Sequence, residues 1–170
     1  MVSTYVHLTH REVPILPEEQ ILMLNADEYL VTLFSATRVH AQARFPRNAF
    51  RLLFLLLMVP YGASYAELLA CLHCSEPVFH QMLIVSSREE VFSILAPQRD
   101  YWQRHLSDLT REDAAILERN LKMVRRAVKE RNGINSLLQR HGFALRVSVL
   151  HGKGYVLLRD RPEIHSRESL

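Results

Sequence analysis

The chain has 170 residues, 48% hydrophobic and 23% charged, a balance that suits one domain with a real core and excludes disorder or a fibrous repeat. Its most apolar stretch, Leu52 to Val59, falls far short of the roughly 20 residues of a spanning helix, and no secretory leader is recognisable, so a cytoplasmic protein off the membrane is expected. The formal net charge of +3 hides strong polarity: of the ten charged residues from Arg119 to Lys153 only Glu130 is acidic, and the rest of the chain sums to about −5.

Pro14, Pro17 and the Glu18-Glu19 pair mark 1–19 as an extended lead-in to a domain over 20–158. Strand-forming residues run from Ile21 to Leu24 and from Tyr29 to Phe34, separated by the turn chemistry of Asn25-Ala26-Asp27. A third strand is predicted over Arg38 to Ala43, where Val39, Ala41 and Ala43 alternate with polar residues. Phe50, Leu53, Phe54, Leu57 and Met58 recur at three and four residues and predict a helix from Pro46 to Val59. After the Pro60-Tyr61-Gly62 turn, Ser64 with Glu67 forms a capping box that opens a second helix, Tyr65 to His73.

Residues 75–108 look like a helical insert. Ser86 and Glu89 have capping-box spacing before Val91, Phe92, Ile94 and Leu95, and Asp100 to Leu106 suits another short helix. Thr110 with Asp113 opens a longer helix through Ala114, Leu117, Leu121, Val124 and Val128, which Asn132-Gly133 ends or kinks. Ile134, Leu137 and Leu138 then give a short apolar stripe, with Asn132, Asn135, Ser136, Gln139 and Arg140 left on the exposed side and Gly142 as the stop. Phe143, Leu145, Val147 and Val149 alternate with Ala144, Arg146 and Ser148, and Tyr155 to Leu158 returns after His151-Gly152-Lys153-Gly154 as a hairpin. Four of the five glycines lie between Gly133 and Gly154, where helix ends and a tight turn call for positive φ. Residues 159–170 read as a polar tail. The fold class is α+β: an N-terminal antiparallel sheet, helices with an insert, and a C-terminal hairpin.

Cys71 and Cys74 stand as Cys-Leu-His-Cys, one pair where a zinc site wants two and in the wrong order for haem attachment; an i, i+3 pair on a helix packs into a core. The nine histidines show no metal spacing, and neither metal nor cofactor is assigned. No phosphate-cradling glycine loop, zinc-protease His-Glu pair or Gly-x-Ser-x-Gly elbow occurs, so an enzyme is not expected. Asp108, Glu112 and Asp113 sit together at a helix start, where acids meet the helix dipole.

The order of parts resembles the winged-helix effector domains of OmpR/PhoB-type response regulators. The motifs are Arg140-His141-Gly142-Phe143-Ala144-Leu145-Arg146 leading to His151-Gly152-Lys153-Gly154-Tyr155-Val156-Leu157, and Ala43-Arg44-Phe45-Pro46-Arg47-Asn48-Ala49-Phe50-Arg51-Leu52-Leu53. The resemblance covers about 20–74 and 115–158, by comparison of pattern alone. Three departures stand against it: Ala49 replaces the family's acidic residue before the first-helix aromatic, 75–108 lengthens the link between second and third helices, and no receiver domain is expected upstream.

The resemblance implies a stand-alone winged helix-turn-helix whose third helix enters the major groove of double-stranded DNA while the wing meets the adjacent minor groove or backbone. By position, Asn132, Asn135, Ser136, Gln139 and Arg140 become base-contact candidates, and their amides and guanidinium suit adenine and guanine edges. Arg125, Arg126, Lys129, Arg131, Arg146 and Lys153 become phosphate contacts. The expected function is a sequence-specific, bacterial-type transcription regulator. The alternative is a winged-helix protein-interaction module that meets a partner subunit or RNA polymerase and holds DNA without specificity. Tyr101, Trp102 and Leu106, with Val78, Phe79, Met82 and Leu83, offer an apolar surface for a homodimer, or else cover the extended third helix.

Overall fold

The computed structural model describes residues 4–85, 87–107 and 111–160, without the side chains of 111–113. Alternating apolar residues build an antiparallel meander of β1 (Tyr5–Thr9), β2 (Ile21–Asn25), β3 (Leu30–Phe34) and β4 (Val39–Arg44), paired in that order. Leu8, Leu22, Leu24, Val31, Leu33, Ala41 and Ala43 are buried along it. The Asn25 side chain makes the expected turn by accepting from the N–H groups of Asp27 and Glu28. Residues 4–19 do more than lead in. They supply β1, paired with β2 from Tyr5–Asn25 to Thr9–Ile21, and then a turn in which Glu12 and Val13 bond back to the Thr9 carbonyl and Val13 and Leu16 are buried.

In α1 (Arg47–Met58) every residue from Ala49 onward is buried. Phe50 meets Tyr29, in the turn just before β3, edge-on at 5.5 Å between ring centres, and so joins helix to meander. After β5 (Ala63–Ser64), the Ser64 hydroxyl and Glu67 carboxylate close the predicted capping box at the start of α2 (Tyr65–His73). The remaining helices are α3 (Glu76–Ile84), α4 (Arg88–Ser107), α5 (Arg111–Lys129) and α6 (Ile134–Arg140). A hairpin of β6 (Leu145–Leu150) and β7 (Gly154–Arg159) follows, and β5 joins it to make a second sheet in the order β5-β7-β6. Gly154 faces Ser64 in that sheet. A Cβ at Gly154 would fall 1.9 Å from the Ala63 carbonyl oxygen, so only glycine lets the strands pair there.

Segment 75–107 is two helices of the common core. Ser75 caps α3, and Phe79, Met82 and Leu83 are buried with α1. Ser87 caps α4, its hydroxyl accepting from the Glu90 N–H; Ser86 lies outside the described residues. The two short pieces expected here are one helix of 20 residues that runs through Pro97, because Val91, Leu95, Trp102 and Leu106 continue a single apolar stripe across it. Residues 108–110, with the side chains of Glu112 and Asp113, fall outside the described residues, as do 161–170. At the C-terminal end Arg159 is the last residue of β7, and its Nε donates to the Ile15 carbonyl at 2.9 Å.

Arg51 is the largest fully buried side chain. One of its terminal nitrogens donates to the carbonyls of Cys71, Leu72 and Cys74 at the end of α2, and the other reaches Glu76 at 2.9 Å. It thereby satisfies carbonyls that the end of α2 would otherwise bury unpaired. Cys71 and Cys74 pack as structural thiols here, both raised above the ordinary thiol range by burial.

Candidate nucleic-acid interface

The sequence of α5 sorts its residues onto two sides. Leu117, Val124 and Val128 are buried and Leu121 packs against them, one apolar stripe at helical spacing. Arg119, Lys122, Arg126 and Lys129 recur at intervals of three and four on the opposite, exposed side. Arg126 pairs with Glu130 at 3.2 Å, one turn on. Among the described residues Arg119, Lys122, Lys129 and Arg131 meet no acidic side chain, so their charge faces solvent. Arg125 lies at the flank, half-buried, and pairs with Glu118 at 2.5 Å.

Near the turn of the hairpin, burial and the neighbouring Tyr65 raise the Tyr155 hydroxyl above the ordinary tyrosine range, while the charge of Arg125 pulls the other way. At the tip, Lys153 is exposed after Gly152, whose φ is +73°. Its backbone is held on both sides, the N–H bonding to the Leu150 carbonyl and the carbonyl accepting from Tyr65. Further along, Arg146 is exposed on β6 and lies 3.8 Å from Asp160.

In α6 the groove-facing set divides. Ile134, Leu137 and Leu138 are buried as expected, and Gln139 and Arg140 are exposed at the last turn. Ser136 is half-buried. Asn132 is exposed before the helix, and its side-chain oxygen accepts from Arg140 at 3.3 Å. Asn135 departs from the expectation of a free face, since both ends of its amide bond the backbone of Val147. A seven-residue helix with three buried positions and an occupied amide offers a small reading surface. The break before it also differs from expectation: Gly133 has φ −82°, not positive. Glycine is required there because a Cβ would lie 2.9 Å from the Ala127 and Val128 carbonyl oxygens at the end of α5.

Arg119 and Lys122 were not among the assigned contacts although they complete the stripe. The signal was present, because basic residues at 119, 122, 126 and 129 oppose apolar ones at 117, 121, 124 and 128. Among the described residues no group of three or more His, Cys, Asp or Glu could hold a metal ion, and no helix is long and apolar enough to cross a membrane. Compared with known proteins, the chain matches no family model, no curated sequence and no solved structure.

Proposed function

We propose that the chain is a cytoplasmic, sequence-specific DNA-binding transcription regulator of winged-helix type in which α5, rather than α6, enters the major groove. The observation that carries this reading is the exposed cationic stripe of Arg119, Lys122, Arg126 and Lys129 on a 19-residue helix whose other side is anchored in the core. Such a helix fits a groove about 12 Å wide, and an arginine on its outward side suits the edge of guanine. The lysines neutralise phosphates, and Lys153 at the hairpin tip reaches the neighbouring backbone. Gln139 and Arg140 lie at the margin of this face and add contacts at one end.

The order of elements supports the same reading. A four-stranded sheet, α1, α2, the long basic α5 and a hairpin keep the order of parts of the OmpR/PhoB-type effector domains, with α3 and α4 interposed after α2 and α6 before the hairpin. Selection of bound sequences from random duplexes tests it. An enriched motif that Arg119→Ala relaxes is the expected result; salt-sensitive binding with no motif would leave only a non-specific grip.

A second reading has one specific observation in its favour. Tyr101 and Ile116 are 44% and 56% exposed and line a cavity with Trp102, His105 and Leu117 between α4 and α5, an apolar site suited to a partner subunit or RNA polymerase.

A further inference from the structure

A cavity of about 280 Å³, at the small end of ligand sites, lies between the two sheets. Its walls come from the turn before β2, the edge strand β4, the residues that lead into β6 and the last residue of β7. Buried Leu33 and Phe143 lie on its floor. The polar lining is Gln20, Arg38, His40 and Arg159, and no acidic residue lines it.

The cationic groups of this lining are uncommitted. Arg38 is exposed, and its side chain makes no hydrogen bond or ion pair among the described residues. Arg159 is exposed as well; the bond from its Nε to the Ile15 carbonyl at 2.9 Å fixes the guanidinium and leaves both Nη groups without an acceptor among the described residues. His40 reaches the wall through a bulge. Leu33 pairs with Ala41 and Phe34 with Val39, so His40 is the extra residue of β4, and such a residue is re-aimed by the kink. Its Nε2 bonds the Ser35 hydroxyl at 3.0 Å, which holds the ring. The acids close by in sequence leave this charge unanswered. Glu18 and Glu19 are exposed and do not line the cavity, and Asp160 lies 3.8 Å from Arg146 instead. Small residues keep the wall low: a Cβ at Gly142 would meet nothing within 4 Å, and Ala144 carries only a methyl.

Guanidinium groups take phosphate oxygens in parallel bonds, and a phosphate monoester carries about −1.5 to −2 charge at pH 7, which answers two arginines better than a singly charged carboxylate or diester. We propose that this cavity binds the phosphate monoester group of a small molecule, its oxygens on Arg38 and Arg159 with His40 at the side. A ligand seated there bridges the N-terminal sheet and the C-terminal hairpin, and the assignment is independent of the reading of α5.

The test is calorimetric titration of the whole chain with methyl phosphate, with dimethyl phosphate and acetate as singly charged probes at the same ionic strength. Methyl phosphate should bind at least about tenfold more tightly than either. Amide NMR shifts should concentrate at Gln20, Gly142 and Ala144. Arg38→Gln removes a surface side chain that holds nothing in the fold, and should weaken methyl phosphate by at least about tenfold, the loss of a charged hydrogen bond. Arg44→Gln, on the same strand but paired with Glu28 and outside the cavity, should stay within about twofold of the wild type. The slope of log affinity against log salt for duplex DNA should be the same in Arg38→Gln and the wild type. No binding of methyl phosphate, dimethyl phosphate bound as tightly, or equal losses in Arg38→Gln and Arg44→Gln would each overturn the assignment. A duplex slope flattened by about 0.9 in Arg38→Gln would overturn it too, and make the patch part of a DNA-backbone surface.

Discussion

The amide of Asn135 pairs with the backbone of Val147 at both ends, Nδ2 donating to its carbonyl at 2.9 Å and Oδ1 accepting from its N–H at 2.6 Å. Val147 lies on β6, the outer strand of the β5-β7-β6 sheet, so the side chain occupies groups that an edge strand leaves open and ties α6 to the hairpin. Asn135→Ala should therefore lower unfolding free energy by about 1–3 kcal/mol, read from the urea midpoint. Discrimination between selected and scrambled duplexes should stay unchanged at a temperature where the variant is folded. Normal stability with lost discrimination would return Asn135 to the groove.

Phe79 carries the 75–107 segment into the main core. Its ring meets Phe54 at 5.6 Å and Phe50 at 6.4 Å, and the buried Arg51 guanidinium lies 4.7 Å over it. Phe79→Ala should cost about 3–5 kcal/mol. Replacing 75–107 by a Gly/Ser linker should then unfold the protein, measured as lost near-ultraviolet circular dichroism. A linker variant with a native spectrum would make the segment a detachable layer after all.

Arg51 and Glu76 are unequal partners. The arginine is buried, whereas the carboxylate side chain is 55% exposed, so solvent screens much of their attraction. Arg51→Met leaves the carbonyls of Cys71, Leu72 and Cys74 without their donor and should cost at least about 2 kcal/mol. Glu76→Gln should cost no more than about 1 kcal/mol. Burial alone would raise the Glu76 carboxyl, but the hydrogen bond from Arg47 and the charges of Arg51 and Arg47 outweigh it and hold it below 4.5. Because its folded value is depressed, its contribution is full above the unfolded value and is lost as pH falls through the folded one. Denaturant midpoints measured from neutral pH down to the acid limb should show a shallower decline for Glu76→Gln than for the wild type.

Local signals in the sequence were legible where chemistry acts over a few residues. The Asn25 turn, the Ser64–Glu67 capping box, the apolar spacing of α1 and the hairpin around Gly152 are all short-range and all present. Long-range partners were not legible. β1 depends on pairing with β2 across the Pro14–Pro17 stretch, and β5 is two residues that become a strand only against β7. Arg51 marks the edge of an apolar run in the sequence, and nothing local says that three carbonyls twenty or more residues away will receive it. Asn135 is the same case at the candidate site. A polar residue on a short helix reads as exposed until a strand is placed beside it.

Glu130 is the one acid among ten charged residues from Arg119 to Lys153, and its carboxylate sits 3.2 Å from Arg126 on the outward side of α5. An exposed i, i+4 pair of this kind contributes well under about 1 kcal/mol, so Glu130→Gln should leave stability nearly unchanged. If α5 lies against DNA, the substitution removes a repelling charge and releases Arg126 to a phosphate. Affinity should rise, and the slope of log affinity against log salt should steepen by about 0.9. Lys122→Ala and Lys129→Ala should each flatten it by about the same amount, and Lys153→Ala should weaken selected and scrambled duplexes together. Arg125→Ala should change the slope less, because Glu118 already holds that guanidinium at 2.5 Å. Arg119→Ala is the variant expected to relax sequence preference, by about 1–3 kcal/mol at one base pair, while Gln139→Ala leaves the preference largely intact. Salt slopes unmoved by Glu130→Gln, Lys122→Ala and Lys129→Ala alike would take α5 off the DNA and favour the partner-contact reading of the apolar site around Tyr101 and Ile116.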